Sequence, residues 1–176
     1  HLVLQYLDFS NPDVVGQVAS LHQRALLTDQ QAQAVEVRAL ERFLSSPLAG
    51  EIRSAAADGM SVFFAGTAME LLGAAITDSS GASFDGIGLA NFTSVQGTHR
   101  FVEDVYGTTD LYPEAVVGFM NKCSVIHGVQ TPLLTSLAMG FGNEGPCGSE
   151  GFHQANVFAS ELTGPLLVKN PRMLET

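Results

Sequence analysis

The sequence predicts a three-layer α/β domain with a mixed, mainly parallel sheet, and three observations predict it. Helix-patterned segments alternate with apolar strand-like segments through the first half of the chain. The second half is rich in glycine and short apolar runs. Between them, Ser61 to Ala65 (SVFFA) runs directly into Gly66-Thr67-Ala68 and the helix-patterned stretch Met69 to Leu72. An apolar run without polar alternation is expected of a strand buried on both faces of a parallel sheet. Strand, small-residue turn and helix in succession raise one residue at the carboxyl end of a sheet, where open α/β folds place their active sites.

Each element follows in order. Leu2 to Leu7 reads as an apolar strand, and Asn11-Pro12 supplies a cap followed by proline at the first helical position. Val14, Val15, Val18, Leu21 and Ala25 recur at helical spacing, so one face of that helix is expected to be buried. Ala34 to Val37 reads as a second strand, with a short helix through Leu40, Phe43 and Leu44. Ser46 and Pro47 start another helix through Leu48, Ile52 and Ala55, which Gly59 closes. After the turn at Gly66, Gly81 to Asn91 and Gly97 to Tyr106 lean towards β structure. Val116 to Met120 and Leu137 to Phe141 read as strands, and Val157 to Leu162 as the last one, turned by Gly164-Pro165.

Composition bounds what such a domain can do. With 176 residues, 45% of them hydrophobic, the chain is expected to be one domain with a sizeable core. Lys and Arg number 8 against 18 Asp and Glu, a net charge of -10, which leaves no basic surface to neutralise phosphates and argues against nucleic acid as a partner. No apolar run approaches the roughly 20 residues of a membrane span, and no signal segment opens the chain, so the cytoplasm is the expected compartment. Cys123 and Cys147 form neither a disulfide framework nor a metal knuckle and are expected to be free thiols. His22, His99 and His127 lack a metal-type spacing, and no cofactor is expected.

Further segments carry a family resemblance. They are GQVASLHQRA (Gly16 to Ala25), Asp58-Gly59-Met60, MELLG (Met69 to Gly73), GIGL (Gly86 to Leu89), VGFMN (Val117 to Asn121), GFGN (Gly140 to Asn143) and GPLLVKNP (Gly164 to Pro171). In this order they resemble class I glutamine amidotransferase domains of the CobB/CobQ type, and among these GatD, the glutaminase subunit of lipid II isoglutaminyl synthase. The resemblance implies a flavodoxin-like three-layer fold and a cysteine nucleophile on the elbow, in a pattern like I-C-x-G-x-Q-x-L-G. Aligning Leu72-Gly73 places Gly66 on the cysteine position, and Glu70 on the glutamine. The family's general base, a histidine before the Gly-Pro pair, falls on Thr163, and Lys122 stands where the family often has histidine. Arg100 falls on an arginine that the family keeps near its active site, and Asn121 accompanies it; with Thr67 they are the expected substrate-binding residues. A family strand and its glycine-rich oxyanion loop have no counterpart where Arg38 meets Ala39, through deletion or through omission of a stretch. A start at His1 without methionine, and an end soon after Pro171, fit a trimmed chain.

A thioester needs a thiolate at the elbow, which glycine lacks, and threonine cannot take and return a proton near neutral pH as imidazole does. The expectation is a degenerate amidotransferase-like subunit that works through a large ATP-dependent, Mur-ligase-like partner, as its relatives do. Two alternatives stay open. One is an active glutaminase in lipid II amidation, with Cys147 as a relocated nucleophile near His153. The other is a small-molecule binding module that uses Gly66, Thr67 and the amides opening the Met69 helix.

Overall fold

The computed structural model describes residues 13–24, 47–163 and 166–175. The expected strands at Leu2 to Leu7 and Ala34 to Val37, the helix through Leu40 and the junction at Arg38-Ala39 lie outside the described residues. The chain divides into two units, His1–Glu51 and Ile52–Thr176.

In the first unit, α1 spans Val14–Gln23. Its cap is Asp13, whose side chain accepts from the Gly16 N–H at 2.9 Å, so the start lies two residues beyond the expected Asn11. A carboxylate there satisfies one of the four N–H groups that a helix start leaves unpaired. Val18 and Leu21 are buried, as the helical spacing predicts, whereas Val15 is exposed. α2 spans Leu48–Ala57, with the Pro47 carbonyl accepting from Gly50 and Glu51, and Gly59 past its end at φ +85°.

The second unit is mixed α/β. After α2 come β1 (Val62–Ala65), a 3-10 turn (Gly66–Ala68), α3 (Met69–Leu72), β2 (Ala75–Thr77) and β3 (Ser83–Asp85). The chain continues through β4 (Thr93–Thr108), β5 (Val116–His127), β6 (Ser136–Met139), β7 (Phe152–Gln154), β8 (Val157–Ser160) and β9 (Leu162–Thr163), and ends with α4 (Leu166–Lys169) and a 3-10 turn (Pro171–Leu174). One sheet has the order β1-β8-β7; the other runs β3-β2-β4-β5-β9, with β6 on the far end of β4. Both sheets are mixed. β1 with β8 and β2 with β4 are parallel and the remaining pairs antiparallel, so the sheets are mixed as expected but mainly antiparallel, because β4 and β5 pair along most of their length as neighbours in sequence. β1 is only partly buried, because β8 covers it on one side and its other edge carries no strand among the described residues.

Two departures from expectation shape the site. Val157 to Leu162 is not one strand: β8 belongs to the first sheet and β9 to the second, with Glu161 as the pivot between them. β5 runs on to His127 and carries Lys122 and Ser124 inward along its buried face.

Apolar packing fixes the elbow. Met69 and Leu72 of α3 sit fully buried in a cluster with Phe92, Ile126, Phe152 and Ala159, where Phe92 meets Phe152 edge-on at 5.7 Å. Burying side chains of this size stabilises by roughly 1.5–3 kcal/mol each. The loop after β3 closes on α3: Ile87 donates to Leu71 O at 2.6 Å and Leu89 to Leu72 O at 3.1 Å. Gly86 is required there, since a Cβ would collide with the Gly73 carbonyl oxygen. A second cluster gathers Val105, Val116, Met120, Leu134, Leu137, Leu162 and Leu166 beneath β4 and β5. No helix among the described residues is long and apolar enough to cross a membrane.

Candidate active site

Strand β1 delivers Gly66 into the turn with φ +65°, a left-handed conformation natural to glycine. Gly66 is buried and Thr67 beside it is exposed. A Cβ built on Gly66 would meet the Thr163 Cγ2 at 3.0 Å. Residues taken from two distant sequence motifs therefore face each other. The Thr163 hydroxyl is turned away to donate to the Phe119 carbonyl at 3.1 Å, so its methyl is the group presented to the elbow.

Phe119 and Thr163 are cross-strand partners in register, so their side chains share one face of the sheet. Asn121, two residues along β5, lies on that same face. Arg100 reaches it from the irregular stretch of β4, donating through Nη1 to Asn121 Oδ1 at 2.7 Å. The structure thus joins Arg100 with Asn121, and Gly66 with Thr163. The Met69 N–H that would open an anion site is instead donated to the Gly66 and Thr67 carbonyls.

Cys147 and His153 are held apart in their bonding. Cys147 is exposed at φ +55°, in a turn where its N–H donates to Gly140 O at 2.9 Å. The His153 ring stacks on Phe158 at 4.5 Å and its Nε2 lies 3.0 Å from Ala155 O. No hydrogen bond links the Cys147 thiol to that ring among the described residues. Cys123 is half-buried in β5, and burial, with a contribution from Glu70, pushes its thiol pKa up and away from the reactive thiolate. His22 is exposed on α1, His99 meets Phe101 edge-on at 4.7 Å, and His127 lies 3.7 Å from Glu144. No group of three or more His, Cys, Asp or Glu side chains is gathered to hold a metal among the described residues.

Behind the elbow lies a sealed polar cluster that the sequence did not reveal. Lys122 forms an ion pair with Glu161 and donates to Gly142 O at 2.9 Å, while Ser124 donates to Glu161 Oε1 at 2.7 Å. The Glu161 N–H donates to Glu150 Oε1 at 2.7 Å, and Ser160 Oγ to Glu150 Oε2 at 2.9 Å. Nearer α3, Glu70 Oε2 accepts from Ser94 at 2.7 Å and Gln96 at 3.2 Å, and its buried Oε1 has no hydrogen-bond partner. Burial raises Glu150 to about 7. Burial also raises Glu161, against the pull of Lys122. The available signal was Glu161 itself, a single charge inside the otherwise apolar or small run VFASEL.

The model of the CobB/CobQ-like glutamine amidotransferase domain matches residues 35–171. The chain belongs to this family. As a CobB/CobQ-like glutamine amidotransferase domain, it is 28% identical over 142 residues to the Staphylococcus aureus lipid II isoglutaminyl synthase (glutamine-hydrolyzing) subunit GatD, covering 78% of this chain and 54% of that protein. It is 31% identical over 107 residues to the GatD subunit of Streptococcus pneumoniae, covering 59% of this chain and 41% of that protein. This amidotransferase domain therefore spans about half the length of the GatD relatives it matches. A shorter stretch of 48 residues is 44% identical to an ATP-dependent helicase/nuclease from Acetivibrio thermocellus, 27% of this chain and 4% of that protein.

Proposed function

We propose that this chain is a degenerate GatD-like amidotransferase domain that does not hydrolyse glutamine and acts through a larger ATP-dependent, Mur-ligase-like subunit in the cytoplasm, in amidation of a peptidoglycan precursor. One observation carries the loss of hydrolysis: the 3.0 Å approach of a Cβ at Gly66 to Thr163. A nucleophile and a base on these two positions would stand side by side, as acyl transfer from a carboxamide demands. Glycine supplies no nucleophile, and the threonine hydroxyl is committed to Phe119 O. Removing one such partner costs on the order of 10⁶ in turnover in serine proteases, where the members act as a unit. Neither remaining cysteine takes over. Among the described residues no histidine is bonded to Cys147, and the Cys123 thiol is pushed away from ionisation.

Retained framework motifs beside a missing catalytic pair favour a role as a partner-binding subunit. The Arg100–Asn121 pair, on the face that carries Thr163, favours a second role, in which a carboxylate ligand is held without being turned over. A glutamine-analogue electrophile separates these from an active enzyme: mapped by mass spectrometry, it leaves both cysteines unmodified at concentrations that label glutaminases. Stoichiometric modification at a single cysteine refutes the proposal. Pull-down of the native protein recovers an ATP-dependent ligase subunit; recovery as a monomer alone removes the partner role.

A further inference from the structure

Glu70, Lys122, Glu150 and Glu161 are each no more than 2% exposed. Among the described residues, three carboxylates thus share the interior with one ammonium. Lys122 is spent on Glu161, while among the described residues Glu150 receives only the Glu161 N–H and the Ser160 hydroxyl. Removing an ion from water costs several kcal/mol, so a buried carboxylate without its own counter-ion is stable chiefly when it carries a proton. The position of the cluster gives this a consequence. Ser160 lies in register with Ala65, the residue before Gly66, and Glu161 is the pivot into β9, two residues before Thr163.

We propose that Glu150, Glu161 and Lys122 form a proton-sensitive latch on the β8–β9 junction, which holds Gly66 against Thr163 while the two carboxylates retain one proton and loosens when that proton leaves. Glu150 faces Glu161 at the pivot, Lys122 from β5 and the Ser160 hydroxyl from β8. Glu161 faces Lys122 and Ser124 from β5 and Glu70 from α3. With a proton on Glu150, Lys122 balances the remaining charge, Glu150 Oε1 still accepts from the Glu161 N–H, and Oε2 turns from accepting the Ser160 hydroxyl to donating to it. Without it, Glu150 and Glu161 are two like charges in one buried cluster, and Lys122 pairs with only one of them. Burial sets the titration of Glu150 at about 7, against an ordinary value of 4.5. Its contribution is therefore fully present below 4.5 and is lost as pH rises through about 7. The latch operates whether or not the elbow hydrolyses glutamine.

The test uses the full chain, with thermal unfolding followed across pH. The melting temperature of the native protein falls by roughly 4–8 °C from about pH 5.5 to about pH 8.5, and Glu150→Gln abolishes most of that fall. A native chain without the fall, or a variant that keeps it, overturns the proposal. If Glu150→Gln fails to fold, infrared spectroscopy of the native chain decides. A buried carboxylic-acid carbonyl band that disappears near neutral pH supports the latch, and absence of any such titrating band overturns it.

Discussion

Replacing Gly66 by alanine tests the facing of the elbow and β9 directly. The residue sits at φ +65°, where an L side chain costs about 1–2 kcal/mol. The narrower unfolded ensemble of alanine returns about 0.4–1 kcal/mol of this. The new Cβ also lies 3.0 Å from Thr163 Cγ2, tighter than ordinary contact, which adds up to about 1 kcal/mol if the methyl cannot give way. The net loss is about 1–2 kcal/mol, or a melting temperature lower by roughly 2–8 °C for a chain of this size. Thr163→Ser separates the two causes, because it removes the methyl and keeps the hydroxyl that donates to Phe119 O. In the Thr163→Ser background, Gly66→Ala should cost less by about 0.5 kcal/mol or more, read from a double-mutant cycle in urea. An identical cost in both backgrounds would show that Gly66 does not face Thr163. No cost in either would refute the left-handed turn.

Other perturbations follow from the buried network and the thiols. Lys122→Met removes the cation from the Glu161 pair and should destabilise by about 3–5 kcal/mol in urea denaturation, because it leaves a buried carboxylate uncompensated. Asn170→Ala loses bonds to the Val117 N–H and to the Val117 and Leu166 carbonyls, which tie α4 to β5, and should cost about 1–3 kcal/mol. In a thiol-titration time course under native conditions, exposed Cys147 reacts quickly and half-buried Cys123 slowly, the two rates merging in denaturant.

The parts of the molecule governed by local chemistry were legible in the sequence. The apolar run, the small-residue turn and the short helix around Gly66 declare themselves, because a strand-to-helix elbow needs those residue types in that order. Pairing Gly66 with Thr163 was accessible through family motifs, although the residues lie far apart along the chain. What escaped was governed by tertiary context. Val157 to Leu162 looks like one strand until Glu161 finds Lys122 and turns the chain into another sheet. β5 looks short because Lys122 and Ser124 interrupt its apolar pattern, yet both are satisfied internally and stay buried. Cys147 and His153 are close in sequence, but a tight turn and a ring stack commit them to different neighbours. Asp13 displaced Asn11 as the cap because its carboxylate accepts from the Gly16 N–H.

The proposed function keeps the elbow and loses glutamine hydrolysis. Glutamate release by the purified full chain, assayed alone and with the proposed ATP-dependent subunit, decides whether hydrolysis is lost. Release no faster than a buffer control is expected. Steady release that is abolished by Cys147→Ser or Cys123→Ser would contradict it.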